Sequence, residues 1–238
     1  MNICLIGYGK MGKAIEEIAV QRGHTIVLKI DQPNLHEFTK ENLARADVAI
    51  EFTSPHTAYE NVKKCIGFGT PIVCGSTGWT EQLEELKKYN AEQHGGFIYS
   101  SNFSIGVNIF FEINKRLADL MAPHPDYEVI LEEVHHTQKK DAPSGTAITL
   151  AEQVLERLKR KKQWVNELSD HPEDLEIISQ REDPAPGTHH VKYSSAIDDI
   201  EIIHTAHSRK GFASGAVLAA EFLAGKQGFF TMKDVLNL

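Results

Sequence analysis

Cysteine is scarce in this chain, with three in 238 residues, and Cys4, Cys65 and Cys74 form neither a C-x-x-C pair nor an even set. A disulfide framework and a thiolate zinc site are therefore not expected, and the three read as small buried hydrophobes. Long apolar runs are lacking too. The longest span about half a bilayer and most carry a polar residue, so no segment is expected to cross a membrane. Positive charge is in deficit, since 25 Lys and Arg face 33 Asp and Glu, a net charge of −8. A surface that holds nucleic-acid phosphate or an acidic membrane needs the opposite balance. The opening residues Met1 to Ile6 show neither a basic n-region nor a small-residue cleavage site, and a cytoplasmic location is expected.

What is present is ordinary globular composition, 41% hydrophobic and 24% charged, in a chain long enough for two modest domains. Over the first hundred residues, short apolar runs (Ile3–Ile6, Thr25–Ile30, Val48–Phe52, Pro71–Cys74, Phe97–Tyr99) alternate with segments of helical spacing. Runs apolar throughout and separated by helices indicate a parallel sheet covered on both faces. Ser54-Pro55 reads as a helix N-cap with proline in the first turn. Beyond Asn102 the pattern changes to a helix over 107–121, a strand over 127–135, a helix over 145–162 and strands over 189–194 and 200–204. The last two are joined near Asp198-Asp199, which suggests a mixed or antiparallel sheet. The stretch 170–187 reads as a loop, and 212–223 as a helix of small residues that could pack back on the first domain. The expected fold is α/β: a Rossmann-type doubly wound domain over 1–104, rejoined by 214–238, with an α+β domain over 105–213.

Three motifs carry chemistry. Gly7-Tyr8-Gly9-Lys10-Met11-Gly12 satisfies G-x-G-x-x-G between a strand and a helix. In that setting the glycines serve a tight turn, close backbone approach to a pyrophosphate and close helix packing, while Asp31 stands where a carboxylate meets the adenosine ribose. Gly75-Ser76-Thr77-Gly78 and Ser100-Ser101-Asn102-Phe103 follow later strands, where open α/β sheets bind ligands, although small polar residues also make plain turns. The densest motif runs from Glu132 through His135, His136, Lys139, Asp141 and Pro143 to Ser144-Gly145-Thr146-Ala147. Ser144 is a natural N-cap, and the amides of Gly145, Thr146 and Ala147 at the helix start suit an anion that His135, His136 and Lys139 could also reach. The 12 histidines show no H-E-x-x-H or H-x-H spacing, and no metal site is expected.

The block E-x-H-H-x-x-K-x-D-A-P-S-G-T-A resembles the signature of the dihydrodipicolinate reductase family. The likeness continues through Phe52-Thr53-Ser54-Pro55, Asn102-Phe103-Ser104-Ile105-Gly106-Val107-Asn108, His204-Thr205-Ala206-His207-Ser208-Arg209 and Phe212-Ala213-Ser214-Gly215-Ala216. The resemblance implies NAD(P)H-dependent reduction of 4-hydroxy-tetrahydrodipicolinate to tetrahydrodipicolinate, in the diaminopimelate route to lysine. It implies cofactor contacts from Gly7 through Gly12, Asp31, Gly75 to Thr77 and Ser100 to Phe103. By the same likeness, His135 is the acid/base, Lys139 the proton donor, and His136, Gly145 and Thr146 meet the substrate. Ser144, from its place at the helix start, joins the contacts to a small dicarboxylate. A homotetramer, with substrate-binding and oligomerisation in the second domain, is implied by resemblance alone. The chain is short for the family between Lys162 and His189.

Two other readings use the same features. Another Rossmann reductase, such as an amino-acid dehydrogenase, would place a different small acid in the pocket. A non-catalytic dinucleotide sensor would keep the glycine loop and Asp31 but would not need His135, Lys139 and an anion-ready helix in one stretch. For the cofactor, Asp31 favours NADH and repels a 2′-phosphate, and Gln32 does not neutralise one as an arginine would. Lys10 could partly offset this, so NADH is expected to be preferred, with NADPH usable.

Overall fold

The computed structural model describes residues 1–208 and 210–238, so Arg209 of the closing motif lies outside the described residues. The chain forms two compact units, Met1–Ile105 with Arg209–Leu238, and Gly106–Ser208. In chain order the elements are β1 (Asn2–Ile6), α1 (Lys10–Gln21), β2 (Thr25–Ile30), α2 (Lys40–Leu43), β3 (Val48–Glu51), α3 (Ala58–Phe68), β4 (Ile72–Cys74), α4 (Leu83–Glu92) and β5 (Gly96–Tyr99). Then come α5 (Ile105–Met121), β6 (Glu128–His135), α6 (Gly145–Arg157), β7 (Gln163–Val165), β8 (Asp174–Arg181), β9 (Gly187–Ser194) and β10 (Asp199–Ala206). The chain closes with α7 (Lys210–Leu223), β11 (Gly228–Phe230) and α8 (Met232–Leu236).

The first unit holds a parallel sheet of order β11-β5-β4-β3-β1-β2. Side chains alternate across it. Ile3 and Leu5 pack on one side with Ile15 and Ala19 of α1 and Ala216 and Ala220 of α7. Cys4 and Ile6 pack on the other with Val62 and Ile66 of α3 and Leu86 of α4. Both faces are thus dry, which is why β1, β3 and β4 are apolar along nearly their whole length. All three cysteines are buried and free. Burial pushes the Cys4 thiol up to about 12 and also raises Cys65 and Cys74, so the thiols stay neutral. The small residues of α7 permit close packing, and a Cβ at Gly215 would stand 1.7 Å from the Phe103 carbonyl oxygen. One helix start differs from the sequence reading: α3 begins at Ala58, not at Ser54-Pro55. The Ser54 carbonyl accepts from the amides of Thr57 and Ala58, so Ser54-Pro55 opens a turn that precedes the helix.

The second unit holds a mixed sheet of order β10-β9-β6-β8-β7. β6 pairs antiparallel with β9 and parallel with β8. Its strands alternate buried and half-buried positions, most clearly in β6 and β9. The buried face carries Val129, Leu131, Leu175, Ile177, Val191 and Tyr193 against α5 and α6. Two sequence expectations fail here. The stretch 170–187 is not all loop, because Asp174–Arg181 is β8, next to the central strand. Glu176 between Leu175 and Ile177, the following Ile178, and the acids and prolines around the strand mask its alternation. The helix expected to reach residue 162 ends at Arg157, where Leu158 turns into the core instead.

Candidate active site

The glycine loop leaves β1 as its spacing requires. Gly7 has φ +90, its amide donates to the Ile30 carbonyl at 2.8 Å, and a Cβ there would lie 2.1 Å from the Phe52 carbonyl oxygen. A Cβ at Gly12 would lie 2.3 Å from the Gly7 oxygen, so α1 packs directly on the turn. Gly9 is different: a Cβ there meets nothing within 4 Å among the described residues. It opens α1 with no side-chain cap, and its missing side chain leaves room for a phosphate to approach the backbone. The loop therefore fits a dinucleotide. Asp31, just past β2, accepts from the Tyr8 amide at 3.3 Å and the Gln32 amide at 2.8 Å, which ties the carboxylate to the loop. Lys10 and Gln32 are exposed.

The two later loops are built more tightly than their sequences suggest. A Cβ at Gly75 would lie 2.2 Å from the Phe52 ring. Ser76 is buried; its hydroxyl donates to Glu51 at 3.0 Å and accepts from the Thr53 amide at 2.8 Å. The Glu51 carboxylate also accepts from the Thr53 amide and hydroxyl and from the Cys74 thiol. Thr77 is exposed and Ser101 likewise. The Ser100 hydroxyl bonds the Asn102 carbonyl, while Phe103 lies in the core edge-on to Phe52.

In the second unit, strand register does the assembling. Glu133 of β6 sits opposite Ser179 of β8 and His189 of β9, and His135 sits opposite Arg181. Because residues two apart on a strand share a face, Glu133 and His135 extend the buried face that begins with Val129 and Leu131. The Glu133 carboxylate is fully buried. It accepts from the Ser144 amide at 3.1 Å on each oxygen, from the Ser179 hydroxyl at 2.8 Å and from Arg181 at 3.4 Å. His135 Nδ1 stands 3.5 Å and His189 Nε2 3.7 Å from it. Burial alone would raise the Glu133 carboxyl, but the Ser144 and Ser179 hydrogen bonds and the His135 imidazole outweigh it, so its pKa is lowered. Burial lowers His135, against the pull of Glu133, and takes His189 down to about 3. Both imidazoles are neutral at pH 7.

Ser144 caps α6 by accepting from the Ala147 amide at 3.2 Å. This corrects one expectation, since the Ala147 amide is taken, and an anion would be met at the Gly145 end of the turn. A Cβ on Gly145 meets nothing within 4 Å among the described residues. Thr146 is half-buried in the same turn. Lys139 donates to both oxygens of Asp141, at 2.9 and 2.8 Å. His135, Ser144 and the start of α6 therefore come together around Glu133. His136, one residue further on, lies near enough to Asp183 to lower its carboxyl, after the bonds from Thr137.

Comparison with known proteins bears on the same stretch. Residues 1–103 match the family described as "Dihydrodipicolinate reductase, N-terminus", and residues 106–236 match "Dihydrodipicolinate reductase, C-terminus". The chain belongs to the dihydrodipicolinate reductase family. The 4-hydroxy-tetrahydrodipicolinate reductase of Christiangramia forsetii is 49% identical over 100% of this chain and 98% of that protein. The namesake from Thermosipho africanus is 35% identical over the same shares. A solved structure, dipicolinate-bound dihydrodipicolinate reductase from Paenisporosarcina sp. TG-14, has the same fold, with a TM-score of 0.76 at 23% identity over 97% of both chains.

In this member of the family, sequence reasoning left Glu51, Glu133, Ser179, Arg181, Gly187 and His189 without a role. Glu133 and His135 are two apart in a strand, and that spacing alone marks a shared face. For β8 and β9 no local signal names the partner. Glu133, His135 and His189 also bring potential ligand atoms within 4.8 Å of one another. Their carboxylate already has a cation in Arg181, whose guanidinium also bonds the Asp141 carbonyl at 2.6 Å.

Proposed function

We propose that this chain reduces 4-hydroxy-tetrahydrodipicolinate to tetrahydrodipicolinate with a nicotinamide cofactor, in the diaminopimelate route to lysine. The observation that carries this reading is the convergence of His135 and the start of α6 on Glu133, a proton-carrying imidazole beside a helix end that suits a carboxylate. Family membership over both halves of the chain supplies the substrate class.

The first unit is the cofactor-binding domain in this reading. Gly7 to Gly12 hold the pyrophosphate at the open side of Gly9, Asp31 holds the ribose, and Gly75 to Thr77 and Ser100 to Phe103 line the remainder. When bound, the nicotinamide supplies the hydride. The second unit binds the dicarboxylate through Ser144, Gly145, Thr146 and His136. His135 and Lys139 manage the proton, with Lys139 released from Asp141 to do so.

Asp31 leads us to assign NADH as the preferred cofactor and NADPH as usable. The strand β10 is exposed along much of its length, with Ile203 57% exposed, and this surface suits the homotetramer the family resemblance implies. We also assign the protein to the cytoplasm; no helix of the described residues is long and apolar enough to cross a membrane. Steady-state assay of the purified protein with the hydroxy-tetrahydrodipicolinate substrate and each cofactor tests the activity. Turnover is expected with both and faster with NADH, and no turnover with either would end the reading.

A further inference from the structure

We propose that Glu133 is the positioning residue of this site, a single buried carboxylate that fixes His135 and the first turn of α6 in one geometry. The inference rests on the reading of His135 as the acid/base group. A carboxylate removed from water is costly unless donors surround it, and Glu133 has them in the Ser144 amide, the Ser179 hydroxyl and Arg181. Those donors come from β8 and from the cap of α6, so the carboxylate ties the helix start to the sheet. They leave the oxygen nearest His135 turned toward Nδ1 at 3.5 Å, and among the described residues Nδ1 has no hydrogen-bond partner. Catalytic hydrogen bonds often reach full strength only in the complex with substrate. On its other edge the ring is confined, because a Cβ at Gly187 would lie 3.0 Å from His135 Nε2.

An ionised carboxylate only accepts. It therefore holds the proton of neutral His135 on Nδ1 and leaves Nε2 with the lone pair. The charged and titratable groups facing His135 are Glu133 on its own strand, Arg181 on β8, His189 on β9, whose ring lies 5.1 Å away, and Lys139 and Asp141 in the connection to α6. Glu133 and Asp141 favour the imidazolium, whereas Arg181 and Lys139 oppose it. Removing the Glu133 charge shifts that balance against the imidazolium.

The test compares Glu133→Gln, His135→Ala and the double variant, using the full chain with its substrate and NADH. His135→Ala comes first. Wild-type kcat in that variant would overturn the acid/base reading and, with it, this proposal. With His135→Ala impaired, Glu133→Gln is expected to lower kcat roughly 10- to 100-fold, the effect of one hydrogen bond to a charged group. Its cofactor Kd should stay normal, and the pH-profile limb that His135→Ala abolishes should move to lower pH. The double variant should be no worse than the poorer single one. An unmoved limb, or effects that multiply, would overturn the positioning role while leaving His135 catalytic. Should Glu133→Gln fail to fold, long-range 1H–15N NMR of the wild-type protein reads the tautomer directly. Nδ1–H is expected for His135, and Nε2–H would overturn the proposal.

Discussion

The two sheets place their candidate functional groups in opposite ways. In the first unit both faces of the sheet are covered, so the interiors of β1, β3 and β4 hold core, with the buried Glu51 at the last position of β3, and only the edge strand β2 carries a charged side chain, Lys29, inside its span. Gly7, Asp31, Gly75 and Ser100 each follow directly or closely on the last residue of β1, β2, β4 and β5, at the strand ends where open α/β sheets meet ligands. In the second unit the candidate site lies within the strands. Glu133, His135, Ser179, Arg181 and His189 continue the row whose other end is Leu131, Ile177 and Val191. One face thus runs from dry core to hydrogen-bonded polar cluster along a few residues. A site made of backbone loops accommodates a cofactor by shape; a site made of strand-borne side chains fixes pKa values and orientations.

The largest expected effect tests the packing side of this contrast. Gly215→Val would drive a side chain into the Phe103 carbonyl and should cost about 4 kcal/mol or more, or prevent folding. Gly145→Val, in open space at the α6 start, should stay within about 1 kcal/mol in urea denaturation. Equal losses at the two glycines would erase the distinction between them.

Next come the chemical groups. His135→Ala and Lys139→Ala should each lower kcat by at least ~10²-fold with cofactor affinity unchanged, because the residues assigned to the cofactor lie in the other unit. Isothermal titration with NADH beside steady-state kinetics checks both halves. A matching loss of NADH affinity would break the division of labour.

A smaller effect sharpens the account of the polar cluster. The folded pKa of His189 is lowered to about 3 from an ordinary value of 6.5, mainly by burial. The unfolded chain therefore takes up this proton first, and stability falls as pH drops below about 6.5 toward 3. One such proton changes stability by about 1.4 kcal/mol per pH unit. His189→Asn should flatten the pH dependence of the unfolding free energy between pH 4.5 and 6.5 by up to that slope. An unchanged slope would mean that His189 is not buried neutral.

The smallest effect lies at the cofactor end. Gln32→Arg should narrow or reverse the ratio of kcat/KM for NADH over NADPH, because a guanidinium offsets the repulsion between Asp31 and a 2′-phosphate. A wild-type preference for NADPH at fixed ionic strength would show that Lys10 outweighs Asp31.

Legibility in the sequence follows the same division. The five strands β1 to β5 stand out because each is a short, mostly apolar run, fully or nearly fully buried in β1, β3, β4 and β5, and a glycine loop between strand and helix has a fixed spacing. Strand β8 does not stand out, since its three apolar residues, Leu175, Ile177 and Ile178, do not alternate cleanly and sit among acids and polar residues. With β8 unseen, Ser179 and Arg181 have no visible relation to Glu133. The cap at Ser144 is readable, whereas the diversion of the Ala147 amide to its hydroxyl is a matter of geometry.

By itself the sequence determined what local chemistry determines: the glycine turn that only Gly7 and Gly12 satisfy, the apolar periods of the parallel sheet, and the signature that marks the family. Tertiary structure alone decided that Glu133 meets Ser179, 46 residues away, and that His189 and Ser144 close the same cluster. The reason is physical. Turn and helix-start geometry depends on residues a few positions apart, but strand register is set by which faces the whole unit can bury, and a shift of one residue in a strand would turn its side chains in this cluster to the opposite face.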